Sequence, residues 1–183
     1  NQTSSTCEKW RIIGVFDGKL KLIRGSQIGK YSWDNKDTTT GAENGFGKND
    51  WTTARLMKLL NPSDYYTVDS NDNNLGQSLY YNSASGKCYS GAGNVTKDCN
   101  FTSTGIKNDE TRNMIAETTY YLGGWNSSSV YPNQIYEYER ETTVCSGNET
   151  TWTGKMAIPY QSDYGYAADF SKCSQTLWDY NNS

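Results

Sequence analysis

The sequence predicts an α+β fold: an N-terminal β-hairpin, two helices and an antiparallel sheet, connected by long polar loops. Three observations predict it. β-rich alternating runs stand at both ends of the chain, apolar residues recur at helical spacing twice in the middle, and the order never alternates as β-α-β. The hydrophobic share is only 34%, but 15 Tyr, 6 Trp and 4 Phe let aromatic rings bury enough area for a core. A chain of 183 residues suits one domain. Residues 1–6 read as a flexible lead-in, and residues 7–183 as a single disulfide-stapled domain.

The elements follow in order. "WRIIGVFDGKLKLIRG" places two β-rich runs around Asp17-Gly18, a dipeptide suited to a two-residue type I′ turn. Lys19, Lys21 and Ile23 then face opposite to Leu20 and Leu22. A polar, glycine-rich connection follows, from which Tyr31 and Trp33 dock on the body. "NDWTTARLMKLLNP" reads as a helix, with Asn49 or Asp50 as N-cap and Asn61-Pro62 as the stop. Trp51, Ala54, Met57 and Leu60, flanked by Leu56 and Leu59, mark its buried stripe. "NDETRNMIAETTYYLGG" reads as a second helix over 108–124, capped by Asn108, with Asp109 and Glu110 on the positive end of its dipole. Its expected inward face is Thr111, Met114, Ile115, Thr118, Tyr121 and Leu122, with Glu110 and Arg112 in solvent. "QIYEYERETTVC" alternates as a strand, and "TWTGKMAIPY" as another, with Trp152, Met156, Ile158 and Tyr160 on one face and Pro159 marking an edge or end.

Cysteines decide the compartment. The chain has five, none spaced as C-x-x-C, and no histidine to complete a mixed Cys/His zinc set, so neither a metal nor a cofactor is expected. Cys88 and Cys99 read as a disulfide closing a short glycine-rich loop, a bond that persists outside the reducing cytosol. Cys7 pairs with Cys145, or Cys145 with Cys173. Either choice leaves one thiol over, and the partner expected for Cys173 lies beyond Ser183. The missing imidazole also removes Ser-His-Asp and Cys-His catalysis.

Other signals are weaker. The net charge of −3 provides no basic face for nucleic acid or an acidic membrane. Asp69, Asn71 and Asn73 begin like a calcium loop, but Asn74 and Tyr80 stand where a glycine and a bidentate carboxylate are needed. Asn-x-Ser/Thr triplets at Asn1, Asn94, Asn100, Asn126 and Asn148 read as chance in so Asn- and Thr-rich a chain. A glycosidase pair drawn from Asp163, Asp169, Glu137 and Glu139 is set aside as solvated carboxylates. Lysines and asparagines are numerous enough for a Lys–Asn isopeptide bond, but the sequence pairs none of them. "PYQSDYGYAADF" gathers rings and acids suited to stacking on a sugar. Trp152, Tyr160, Asp163, Tyr164 and Tyr166 are therefore the ligand-contact candidates, with core packing as the bland reading.

Several stretches together carry a resemblance: "WRIIGVFDGKLKLIRG", "IGKYSWD", "W-x-x-A-x-LMKLLNP", "TRNMIAETTYYLGGW" and "TWTGKMAIPYQSDYGYAA". They resemble an extracellular domain of Gram-positive, often gut-associated bacteria, commonly carried behind a prepilin-type N-terminal helix. The resemblance spans most of residues 7–180. It implies an exported, pilin-like surface subunit, here expected to lack its anchor helix and a C-terminal strand. At fold level the order of elements is also similar to C-type-lectin-like domains. The expectation is thus a non-enzymatic extracellular structural subunit that packs against copies of itself or other surface proteins. A glycan- or host-protein-binding adhesin module is the alternative.

Overall fold

The structure, a computed structural model, describes residues 7–34, 50–68, 77–89, 96–123, 132–140, 150–160 and 162–163. The α+β class holds: short helices and three two-stranded sheets make up the described regular structure. The chain forms two compact units. The first comprises Asn1–Glu8, Ser26–Thr118 and Thr153–Ala157; the second comprises Lys9–Gly25, Thr119–Trp152 and Ile158–Ser183.

In the second unit, β1 (Trp10–Phe16) and β2 (Lys19–Arg24) form the expected antiparallel hairpin. Asp17 and Gly18 adopt φ of 49° and 74°, the paired positive values that a type I′ turn requires. The register sets Ile12 against Leu22 and Val15 against Leu20, with an irregularity between Ile12 and Gly14. Those four apolar side chains are exposed, at 67%, 46%, 60% and 60% respectively. The opposite face carries Phe16, Lys21 and Ile23, all half-buried, and Phe16 meets the Tyr136 ring at 6.1 Å between centroids.

In the first unit, Asp50 caps a turn by accepting from the Thr52 amide (3.0 Å) and hydroxyl (2.7 Å). Then α1 spans Arg55–Leu60, starting later than expected because Ala54 is extended at ψ 136°. Most of the predicted stripe is buried: Trp51, Ala54, Met57, Leu59 and Leu60 are all 7% exposed or less, while Leu56 is half-buried. Asn61, extended and fully buried, ends the helix. A single 3-10 turn, Ser63–Tyr65, follows. The core is completed by Leu79, Phe101 and Ile106. The turn carrying Leu79 is stitched to α1 by the Leu79 amide donating to the Leu59 carbonyl at 3.1 Å. A Cβ on Gly105 would stand 2.6 Å from both the Asn82 Cα and the Leu79 carbonyl oxygen, so this position takes only glycine without backbone movement.

The stapled loop is itself a hairpin of β3 (Gly86–Tyr89) and β4 (Thr96–Cys99). Its Lys87 and Asp98 face each other in register and form an ion pair.

Three sequence expectations need correction. The second helix is much shorter: α2 spans Asp109–Met114, and β5 occupies Thr118–Tyr121. Asn108 does cap it, accepting from the Thr111 amide at 2.8 Å. Beyond Met114, however, β-branched Thr118 and Thr119 and aromatic Tyr120 and Tyr121 favour a pleated strand. The predicted inward face also moves. Met114 is 77% exposed, while Arg112, expected in solvent, is half-buried and donates to the carbonyls of Tyr80 and Ile106.

The second correction concerns "QIYEYERETTVC", which opens in a helix, α3 (Pro132–Tyr138), instead of a strand. Pro132 sits at the helix start, where its missing amide costs no bond. One turn after Tyr136, the Arg140 guanidinium donates to its carbonyl at 2.9 Å and lies 3.4 Å from its ring centroid. The last strand is shorter too: β6 is Thr151–Gly154 and pairs with β5, so Met156, Ile158 and Tyr160 lie outside it.

Candidate functional site

Cys88 and Cys99 are disulfide-bonded, with Cα atoms 6.0 Å apart. Gly86 faces Cys99 across the ladder, and Cys88 faces Lys97, so the bridge runs diagonally. Cys88 is 3% exposed and anchors this hairpin on the first unit's core. Cys7 is exposed. Cys145 and Cys173 lie outside the described residues, as do the calcium-like run and every Asn-x-Ser/Thr triplet except Asn100. Among the described residues no helix is long and apolar enough to cross a membrane.

The first unit has a depression of about 200 Å³, lined in part by Tyr80, Tyr81, Asp109 and Arg112. Two of its charged groups, Asp109 and Arg112, serve the fold. Arg112 Nη2 lies 2.6 Å from Asp109 Oδ1, and the guanidinium stands 5.8 Å from the Tyr81 ring centroid. The Tyr80 hydroxyl donates to the Arg112 carbonyl at 3.3 Å, and burial raises its pKa. These contacts fasten α2 to the turn before β3.

The second unit holds the most unusual chemistry. Asp163 and Glu139 are 5% and 6% exposed, which corrects the expectation of solvated carboxylates for both; Glu137 is exposed as expected, and Asp169 lies outside the described residues. All four oxygens of the buried pair are engaged. Asp163 Oδ1 lies 2.5 Å from Lys21 Nζ, and Oδ2 accepts from the Tyr160 amide at 2.9 Å. Glu139 Oε1 accepts from the Ser162 amide at 3.1 Å, and Oε2 from the Ser162 hydroxyl. A glycosidase pair must aim its oxygens at a substrate and a water; these aim at the chain itself.

Position and charge explain the electrostatics. Lys21 reaches the cluster because β2 alternation sends it to the same face as Ile23. Burial pushes the Glu139 carboxyl up; the Ser162 hydrogen bonds and Lys21 oppose this, and the Asp163 charge adds to it. Burial also drives the Tyr120 phenol up to about 12, with Asp163 as a lesser cause. Tyr160 is raised by burial and then by Glu139 and Asp163.

Of the ligand-contact candidates, Trp152 is buried and packs against Tyr120, with ring centroids 5.6 Å apart and planes tilted by 35°. Tyr160 is half-buried, and Asp163 is inside the polar cluster. Tyr164 and Tyr166 lie outside the described residues. Sequence reasoning missed Lys21, Glu139 and Ser162 as partners. The local signal was that strand alternation puts Lys21 on the same face as Ile23. No protein-family model, curated protein or solved structure matches this chain.

Proposed function

We propose that this chain is a non-enzymatic, exported structural subunit of a cell-surface assembly, pilin-like in role, which packs against copies of itself. One observation carries the reading: Ile12, Val15, Leu20 and Leu22 present a contiguous apolar face to solvent on the outer side of the hairpin. Exposed apolar side chains scattered singly are ordinary, whereas a cluster on one sheet face suits a protein partner. The Cys88–Cys99 disulfide supports a location outside the reducing cytosol. Engagement of the buried carboxylates by the chain's own groups supports a role in architecture over turnover.

Sedimentation velocity across a concentration series, with negative-stain imaging, tests this. The chain should associate with rising concentration, and Val15→Asp with Leu20→Asp should abolish association while leaving circular dichroism unchanged. Sedimentation as a monomer at every concentration overturns the reading, as does undiminished assembly of the double variant.

A further inference from the structure

We infer that the depression in the first unit binds one pyranose residue of an uncharged glycan, with the exposed Tyr81 ring against its C–H face and Asp64 and Asn113 at its hydroxyl edge. This goes beyond the structural-subunit reading and does not depend on it. The hairpin face belongs to the second unit, and every residue lining the depression belongs to the first.

Four separate stretches of chain meet there. Asp64 comes from the 3-10 turn, Tyr81 from the turn before β3, Asn113 from α2, and Lys155 from the segment that leaves β6. The walls are fixed before any ligand arrives. Gln77 Oε1 accepts from the Ser63 amide at 3.3 Å, which ties the turn holding Asp64 to the one holding Tyr81. The Tyr81 amide donates to the Gln77 carbonyl at 3.0 Å, and the Tyr80 and Tyr81 rings stand edge to face, 5.1 Å apart. Gln77 and Asn82 hold left-handed backbone on either side of the tyrosines, at φ 57° and 55°. Residues other than glycine stay in that region only where their surroundings enforce it. A wall set in advance spares the ligand the cost of ordering it.

The lining chemistry selects the ligand. Its charged groups are Asp64, Asp109, Arg112 and Lys155, two of each sign, so neither an anion nor a cation gains an advantage. Asp109 and Arg112 already neutralise each other in direct contact. What is left for a ligand is an aromatic ring with polar groups around it. Tyr81 is 48% exposed, and Asp64 and Asn113 are exposed as well. Among the described residues these three side chains have no hydrogen-bond partner. A carboxylate accepts and a carboxamide both donates and accepts, which matches a row of neighbouring hydroxyls, and a bond to the carboxylate is charge-assisted. The negative face of an aromatic ring attracts the weakly positive C–H face of a pyranose. Volume sets the size: about 200 Å³ is less than the roughly 300–1,000 Å³ that enclose a drug-sized molecule. That leaves room for one sugar ring at the end of a chain.

Two measurements on the 183-residue chain test this: a printed array of neutral oligosaccharides, and amide chemical shifts during titration with methyl pyranosides of glucose, galactose, mannose and N-acetylglucosamine. At least one pyranoside should saturate the chain with a dissociation constant on the order of 1 mM, as suits a single ring on an open surface. The shifts should centre on Asp64, Tyr81 and Asn113. Tyr81→Ala and Asp64→Asn should each weaken binding about tenfold. Asp64 is exposed, so Asp64→Asn should keep the wild-type urea midpoint and carries the test if Tyr81→Ala loosens its turn. A blank array, with no saturable shift up to about fifty times the expected dissociation constant, overturns the inference. Shifts that centre on the second unit overturn the location, and binding confined to charged sugars such as uronates overturns the ligand class. Undiminished binding in Asp64→Asn and in Tyr81→Ala overturns the roles given to those residues.

Discussion

Replacing Asn61 by alanine should be among the most damaging single changes in the first unit. The Asn61 side chain is fully buried and bridges two parts of the chain that are distant in sequence. Its amide nitrogen donates to the Met57 carbonyl at 3.0 Å and the Met156 carbonyl at 2.9 Å. Its oxygen accepts from the amides of Met156 at 2.8 Å and Lys155 at 3.3 Å. Alanine strands the Met156 amide and carbonyl in a place shaped for asparagine, at about 1–3 kcal/mol for each unsatisfied group. The sum, after partial relaxation, is about 3–5 kcal/mol, a large part of the ~5–15 kcal/mol that typically separates folded from unfolded chains. Urea unfolding read by tryptophan fluorescence measures it, and the slope with denaturant should be unchanged. Asn61→Asp separates polar satisfaction from packing. It keeps the acceptor oxygen but turns a second oxygen toward two carbonyls, so its neutral form is favoured in the fold. That raises its folded pKa above the unfolded value, and stability is then highest in acid and falls as pH rises. A loss below about 1 kcal/mol for Asn61→Ala refutes the reasoning.

Two other outcomes follow from the same kind of accounting. Serine at both Cys88 and Cys99 should cost about 3 kcal/mol in the loop-entropy picture, visible as a lower urea midpoint than wild type under oxidising conditions; equal midpoints contradict it. Alkali should destabilise the second unit as the buried phenols ionise. The Tyr120 pKa is raised from 10.0 to about 12, so its contribution is intact below pH 10 and is lost as pH rises toward 12. Tyr120→Phe keeps the ring on Trp152 and should move alkaline unfolding to higher pH, and an unmoved midpoint counts against the assignment.

Legibility in the sequence tracked how local each cause was. The hairpin is readable because Asp17-Gly18 specifies its own turn, whatever surrounds it. The α1 stripe and the Asn108 cap are readable because spacing and capping act within one or two turns. The stretch from Ile115 to Leu122 misleads because apolar residues three and four apart also fall on strand faces, and Thr118-Thr119 tips the balance only once β6 is there to pair. The same ambiguity hides α3, where alternating Tyr and Glu mimic a strand until Pro132 starts a helix. The polar cluster was invisible for a different reason. Lys21, Glu139 and Asp163 come from three separate stretches, and each reads locally as a solvated charge; only their assembly buries the two carboxylates.

The register irregularity between Ile12 and Gly14 in the first strand bears on the self-association proposed above. A β-bulge interrupts the row of backbone donors and acceptors along its strand and increases local twist. Another strand laid alongside finds no continuous ladder to extend, so open-ended, amyloid-type growth is disfavoured at that edge. The association proposed above would then run through the side chains of Ile12, Val15, Leu20 and Leu22, whose shapes one partner can match and others cannot.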